Sequence, residues 1–359
     1  GAKLPRVVVA DMNQELLEGN TGPFSSVLME CLAENLRLRR QSILLLNRRG
    51  YHTFVSCRAC GEPVTCPHCS ISLTYHAANR RLMCHYCGYS IPFTDECPSC
   101  HQRQVRYAGA GTQKAEEAVE ELFPEARILR MDADTTMAKY SHEKKLKQFA
   151  DGEYDIMVGT QMVAKGLDFP DVTLALIADA DLGLNLPDYR AMERTFQLLL
   201  QSAGRAGRGE KAGRVLIQTR MPNHVCWDFV RRGDYDAFYE HEIALREKRR
   251  YPPFVKLALV RASFPAEDAE GGSEGQAALN RFMGLLREEG RTLGLTLMGP
   301  IPSPLARLQG RMRFQALIKA DDWQKVRQAY GRAMRRAFGG GAAPKTLRLS
   351  LDLDPVNML

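Results

Sequence analysis

The 359-residue chain has no apolar run approaching the 18 residues that a membrane-spanning helix needs. Its opening, Gly1-Ala2-Lys3-Leu4-Pro5, has neither the apolar core of a secretory signal nor an initiator methionine, and the chain is expected to be the back part of a longer protein. The phosphate-binding loop G-x-x-x-x-G-K-[ST] is missing throughout, so the lysine that such a loop sets against nucleotide phosphates is not supplied here. With no secretory signal beside the ten cysteines, disulfides are the poorer reading and zinc the better one. A zinc hydrolase is excluded in turn, because no His or carboxylate triad offers a metal an open position.

What is present is ordinary for a globular protein, at 45% hydrophobic and 25% charged residues, in a length that allows two or three domains. The formal charge of +7 and the pI near 8.9 are compatible with nucleic acid as a partner. Eight of the ten cysteines lie between residues 57 and 100, in four Cys-x-x-Cys pairs: Cys57/Cys60, Cys66/Cys69, Cys84/Cys87 and Cys97/Cys100. Each pair forms a knuckle that grips one side of a Zn²⁺, and eight thiolates complete two tetrahedral sites. Three pairings of the knuckles are possible. The inner two flank a short hairpin, residues 72–76 and 81–83, whose closure brings its own ends together. Cys66, Cys69, Cys84 and Cys87 are therefore expected to share one zinc, and Cys57, Cys60, Cys97 and Cys100 the other. With the thiolate count full, His68, His76, His85 and His101 are expected to be bystanders, and Cys31 and Cys226 core thiols.

Around this block the sequence alternates strands and helices. Strands are expected at 7–11, 43–51, 105–108, 126–131, 154–158, 172–178 and 213–219, with helices between, which implies a doubly wound, mostly parallel sheet. Asn47, Arg48 and Arg49 end the second strand, where they either meet phosphate or are simply solvated. Strand 154–158 runs into Gly159-Thr160-Gln161, a small hydroxyl-bearing turn placed where open α/β sheets bind ligands. A helix over 188–206 ends in the Gln201-Ser202-Ala203-Gly204-Arg205-Ala206-Gly207-Arg208 run, whose two arginines share a helical face and suit a polyphosphate. After a charged helical stretch, Tyr251-Pro252-Pro253-Phe254 marks a boundary. Beyond it, strands at 255–264, 295–298, 313–319 and 346–353 with helices at 274–290 and 322–338 give a βαββαβ order and a small ferredoxin-like domain. Arg307, Arg311 and Arg313 make a basic edge beside Phe314 and Gln315; DNA, an acidic peptide, and the blunting of an edge strand are all open readings of it.

The runs at 158–170 and 201–209 resemble motifs V and VI of superfamily 2 helicases. The resemblance narrows with Asn47-Arg48-Arg49-Gly50-Tyr51, the four-knuckle insertion, Tyr251-Pro252-Pro253-Phe254 and the closing Leu351-Asp352-Leu353-Asp354-Pro355, which occur in one order. Together they resemble the PriA (primosomal protein N′) family of bacterial replication-restart helicases, over essentially the whole chain. The resemblance implies the following domains: the start of a RecA-like helicase lobe 2 at 1–55, a zinc-binding insertion at 56–102, the remainder of lobe 2 at 103–233, a helical linker at 234–254 and a C-terminal α+β domain at 255–359. It implies Gln201, Arg205 and Arg208 in catalysis, the arginines as fingers, and Gly166 and Asp168 with the same arginines at the nucleotide. Asn47, Arg48, Gly159 and Thr160 would hold DNA, and Arg311 and Gln315 the acidic tail of single-stranded DNA-binding protein.

The implied activity is an ATP-dependent 3′→5′ DNA helicase that recognises branched or stalled forks, uses Mg²⁺, and helps primosome and helicase-loading proteins restart replication. A monomer, in the cytoplasm with the nucleoid, is expected. The chain departs from the family in lacking the N-terminal DNA-binding domains and lobe 1 with its Walker A lysine and DExH-type Mg²⁺ ligand, so alone it is expected to bind DNA and partners without hydrolysing ATP. The alternative is a zinc-stapled scaffold that docks DNA and protein with no ATP turnover at all.

Overall fold

A computed structural model describes residues 5–46, 54–76, 79–108, 112–131, 139–159, 169, 171–204, 213–266, 274–339, 342–356 and 358. They fall into two compact units. The first comprises Gly1–Val64, Thr94–Leu186 and Arg190–Glu240, the second Thr65–Phe93, Pro187–Tyr189 and His241–Leu359.

The first unit opens with β1 (Arg6–Asp11), α1 (Met12–Leu17), α2 (Ser26–Arg37), β2 (Gln41–Leu45) and β3 (Phe54–Cys57). The strands β4 (Thr74–His76), β5 (Arg81–Met83) and β6 (Ser90–Pro92) belong to the second unit. The first resumes with β7 (Val105–Ala108), α3 (Thr112–Leu122), β8 (Ile128–Met131), α4 (Lys139–Ala150), β9 (Ile156–Gly159), β10 (Val172–Ile177), α5 (Ala180–Leu184), α6 (Ala191–Ala203), β11 (Arg214–Thr219) and α7 (Val225–Arg232). The chain passes through α8 (Tyr235–Arg249) into β12 (Lys256–Pro265), α9 (Glu274–Thr292), β13 (Thr296–Leu308), β14 (Arg311–Ala320), α10 (Trp323–Phe338) and β15 (Arg348–Leu353).

Six strands of the first unit form one sheet in the order β1-β11-β10-β2-β9-β8, parallel at every pairing. A parallel sheet is covered on both faces, so its strands are apolar throughout and sort their side chains by alternation. Ile43, Leu45, Ala175 and Ile177 join the core beneath α6 and α7 with Phe196, Leu199 and Trp227. Leu44, Leu46, Leu174 and Leu176 join the opposite core with Leu28 and Leu32 of α2. That helix starts at Ser25, whose hydroxyl accepts the Leu28 N–H. The charged stretch read as one helix breaks after α7, where Gly233 takes a left-handed cap at φ 61°. The helix expected over 188–206 begins only at Ala191, preceded by the short α5, which Asp179 caps through the Leu182 N–H.

In the second unit β13-β14-β12-β15 form an antiparallel sheet, which is the order 2-3-1-4 in the count of its own βαββαβ run. Phe264, Phe282 and Leu286 pack with Val326, Ala329, Ala333 and Ala337, the small face of α10, in a single core. β13 is much longer than the expected 295–298. It runs on through Pro300, Pro302 and Pro304 because it is an edge strand, where a missing N–H costs no ladder bond, and its pairing shifts register between Met298 and Ile301 and again between Pro302 and Arg307. β4, β5 and β6 make a small antiparallel ribbon in the same unit.

Candidate metal centres and candidate nucleic-acid edge

The four Cys-x-x-Cys pairs fold identically. In each, the N–H four residues after the first cysteine donates to that cysteine's carbonyl: Gly61 to Cys57 at 2.8 Å, Ser70 to Cys66 at 2.8 Å, Gly88 to Cys84 at 3.0 Å and His101 to Cys97 at 2.9 Å. The first cysteine's own N–H donates to the residue five further on, Glu62, Ile71, Tyr89 or Gln102, at 2.8–2.9 Å. This turn requires a positive φ at the residue after the second cysteine, and all four have one: 79° at Gly61, 55° at Ser70, 78° at Gly88 and 60° at His101. At Gly61 a side chain is excluded besides, since a Cβ would lie 2.1 Å from the Arg220 carbonyl oxygen.

The knuckles assemble into the nested quartets. Cys57, Cys60, Cys97 and Cys100 form one cluster and Cys66, Cys69, Cys84 and Cys87 the other, each with all its sulfurs within 4.8 Å of one another. Cys57 and Cys100 Sγ are 3.6 Å apart, Cys60 and Cys97 3.7 Å, Cys66 and Cys87 3.7 Å. A tetrahedral zinc with bonds of about 2.3 Å requires sulfur separations of about 3.8 Å, so both quartets fit a structural Zn²⁺. Within each quartet the thiols bias one another's protonation. Thiol hydrogen bonds from Cys69 and Cys84 hold Cys66 down to about 2, while Cys69 and Cys84 are pushed up, Cys84 to about 12. In the other quartet burial carries Cys60 up to about 12, whereas Cys97, against burial, is brought to about 7 by the Cys100 and Ser99 N–H groups and its neighbours' thiols. Four sulfurs so close share their protons unless a dication replaces them. The histidines stand outside both clusters: His76 and His85 face each other, Nε2 to Nε2, at 3.2 Å.

At the parallel sheet, β2 and β9 lie side by side with Leu45 opposite Gly159, and the Leu46 N–H donates to the Gly159 carbonyl at 2.9 Å. Leu46 and Gly159, which directly precede Asn47 and Thr160 in the sequence, are therefore neighbours in the sheet. Gly159 is buried at the end of β9, and Gln201 is exposed on the last turn of α6. Asn47, Arg48, Thr160, Gly166, Asp168, Arg205 and Arg208 lie outside the described residues. Asp181, which the sequence puts at a strand end, is buried and accepts from the Thr219 hydroxyl and, at 2.7 Å, from the Arg220 N–H. Burial raises its pKa against the pull of those donors.

Arg311 and Gln315 are committed inside the second unit. Arg311 donates to Ser263 Oγ at 3.1 Å, to Ser263 O at 2.6 Å and to Thr346 O at 2.9 Å. Gln315 is buried and gives Nε2 to His85 O at 3.0 Å. The sequence puts Arg311 in a basic edge and Gln315 beside it; in the fold, cross-strand and ribbon contacts, which local sequence does not encode, engage both side chains. Sequence reasoning also passed over Tyr189, which stacks on Tyr251 at 4.8 Å between centroids, takes the Arg246 guanidinium at 5.1 Å on its ring, and donates its N–H to Tyr86 Oη at 3.1 Å. A lone tyrosine in a Pro-Asp-Tyr-Arg loop carries no signal that would single it out.

The chain is similar to three family models: the PriA DNA helicase Cys-rich region over residues 66–92, the helicase conserved C-terminal domain over 97–210, and the primosomal protein N C-terminal domain over 247–356. Among curated relatives it is 42% identical to the replication restart protein PriA of Bacillus subtilis strain 168, over 99% of this chain and 43% of that protein. The protein of the same name from Synechocystis sp. PCC 6803 is 39% identical over 99% of this chain and 42% of its own length. That of Treponema pallidum strain Nichols is 38% identical over 100% of this chain and 52% of its own. The chain thus spans about half the length of these relatives.

Proposed function

The chain belongs to the PriA family of replication restart proteins, and from that premise we propose that its first unit serves as the second RecA-like lobe of an ATP-dependent 3′→5′ DNA helicase acting at branched or stalled forks. The observation that supports this most is the junction of β2 with β9: the bond from Leu46 N–H to Gly159 O sets Leu46 and Gly159, the residues just before Asn47 and Thr160 in the sequence, side by side. A phosphate backbone laid across that edge would meet Asn47, Arg48, Gly159 and Thr160 together. Such contacts orient DNA without reading its sequence.

In this reading Gly166 and Asp168 face the nucleotide, and Gln201, Arg205 and Arg208 follow from the end of α6 to complete an ATP site. The arginines act on charge that develops on the transferred phosphoryl group, and Mg²⁺ and the phosphate-binding lysine come from a partner lobe. The chain by itself binds DNA and protein without turning over ATP. The two zinc ions crosslink their knuckles and take no part in the chemistry. Arg311 and Gln315, held within their unit, shape the β14 surface on which the acidic tail of single-stranded DNA-binding protein is received. Primosome and helicase-loading proteins are the further partners, in a cytoplasmic, nucleoid-associated setting.

The test is fork-stimulated ATP hydrolysis by the intact protein carrying Arg205→Ala. A finger contributes on the order of 10³–10⁵ in rate, so a loss of that size with DNA binding intact is expected. Unchanged hydrolysis would move the assignment to a zinc-stapled scaffold.

A further inference from the structure

In the second quartet each knuckle turns one peptide unit end-on between a sulfur and the C-terminal domain. The Tyr86 N–H points at Cys84 Sγ, 3.4 Å away. Because the peptide is trans and planar, the carbonyl of the same unit, His85 O, points the opposite way. There it accepts Gln315 Nε2 at 3.0 Å. The first knuckle repeats the arrangement: the His68 N–H bonds the Cys66 sulfur, and Pro67 O on the same peptide accepts Arg249 Nη1 at 3.0 Å. The next carbonyl but one, Cys69 O, accepts the Tyr251 hydroxyl at 3.0 Å. Lys319 closes the circuit, lying 4.1 Å from the Tyr251 ring centroid and donating to Arg249 O at 2.8 Å. Gly88 packs so tightly against β13 that a Cβ there would lie 2.9 Å from Ile301 Cγ2.

We infer that the second metal site is a tertiary junction, in which metal held by Cys66, Cys69, Cys84 and Cys87 fixes the outward carbonyls on which Gln315, Arg249 and Tyr251 seat. The His85 and Pro67 carbonyls point outward only while the Tyr86 and His68 N–H groups point at sulfur, and thiolate charge polarises those two peptides toward their outer donors. The Cys69 carbonyl is fixed instead because Cys69 is itself a ligand and the Ser70 N–H on its peptide bonds the Cys66 carbonyl. Metal occupancy and the seating of β14 are therefore linked, and linkage is reciprocal: weakening the seat loosens the metal. The inference stands apart from the helicase reading.

Gln315→Met keeps the volume and removes the donor. The metal-loaded intact protein and this variant would be mixed with excess pyridylazoresorcinol and zinc release followed by absorbance. One of two zinc equivalents should leave the variant about fivefold faster, roughly the factor one hydrogen bond is worth, with the other unchanged. A second readout works in the opposite direction. Acylation of Lys319 by an N-hydroxysuccinimide ester, read by peptide mass spectrometry, should rise severalfold in Cys84→Ser and stay at the wild-type rate in Cys60→Ser, which damages the other quartet. Should Cys84→Ser fail to fold, the release kinetics of Gln315→Met decide alone. Identical release of both zincs from wild type and Gln315→Met overturns the inference, as does equal Lys319 labelling in the two folded cysteine variants.

Discussion

Gln218 offers a direct measure of what holds the first unit's sheet to the helix beside it. Its side chain is 1% exposed near the end of β11 and makes three hydrogen bonds: Oε1 accepts the Ser25 N–H at 2.6 Å, and Nε2 donates to Pro23 O at 3.1 Å and Ala178 O at 2.9 Å. One amide thus ties the N-cap of α2 to the residue that follows β10. Gln218→Met preserves volume and apolar contact while leaving those three groups unpaired. Pro23 is exposed and Ala178 only half-buried, so water replaces the amide at their carbonyls at little cost; the buried Ser25 N–H has no such replacement. At about 1–3 kcal/mol for an orphaned buried group, the loss is about 1–3 kcal/mol. A domain's whole stability is typically about 5–15 kcal/mol, so the substitution should be plainly visible. The reporter is Trp227, fully buried in the same unit with its indole N–H on Met221 O at 2.6 Å. The other tryptophan of the chain's two, Trp323, sits in the second unit and is changed to phenylalanine in both proteins. Urea unfolding should give a lower midpoint at unchanged slope. A loss below about 1 kcal/mol would refute the reasoning, because the buried N–H would then have found another partner.

Two further outcomes are expected. DNA binding by the chain should be weak and should fall steeply with added salt, as phosphate-dominated binding does, and an affinity unchanged between low and high salt would contradict it. On the acid side, hydrogen bonds from Arg127 at 2.6 and 3.0 Å hold Asp155 below the ordinary carboxylate range. Its contribution is therefore complete above the unfolded value near ~3.9 and disappears as pH falls through the lower folded value. Arg127→Met should lower the thermal midpoint modestly at pH 7, the pair being partly exposed, and the two proteins should converge in strong acid; a gap of constant size at every pH would dismiss the pair as the cause.

The sequence carried a large part of this architecture because the signals were local or periodic. Hydrophobic runs in Ile43–Leu46 and Val172–Ile177 announce strands buried on two faces, and Cys-x-x-Cys spacing announces knuckles whose hydrogen bonds close within six residues. The pairing of the knuckles followed from one more local feature, the hairpin between Cys69 and Cys84. What was not legible was long-range. The length of β13 beyond 298 was not legible because the sequence does not say which strand will stand at the edge of its sheet and so tolerate prolines. Gln315 read only as a neighbour of a basic edge because nothing near it announces that a carbonyl from residue 85 will arrive to take its amide proton.

The cysteine block brings these limits together. Eight thiolates in four equal knuckles read as one insertion, since chain spacing is the same at each. In the fold the quartet of Cys57, Cys60, Cys97 and Cys100 belongs to the first unit and that of Cys66, Cys69, Cys84 and Cys87 to the second. The difference arises from what the outward faces of the knuckles meet. Gly61 approaches the Arg220 carbonyl so closely that no side chain fits, which commits the first quartet to the end of β11. The knuckles of the second quartet offer Pro67, Cys69 and His85 carbonyls to Arg249, Tyr251 and Gln315. The same local turn therefore serves two structural ends, and the assignment is made by residues more than a hundred positions away. Metal loss from the two quartets should accordingly have separable consequences, one felt at β3 and β11, the other at β13 and β14.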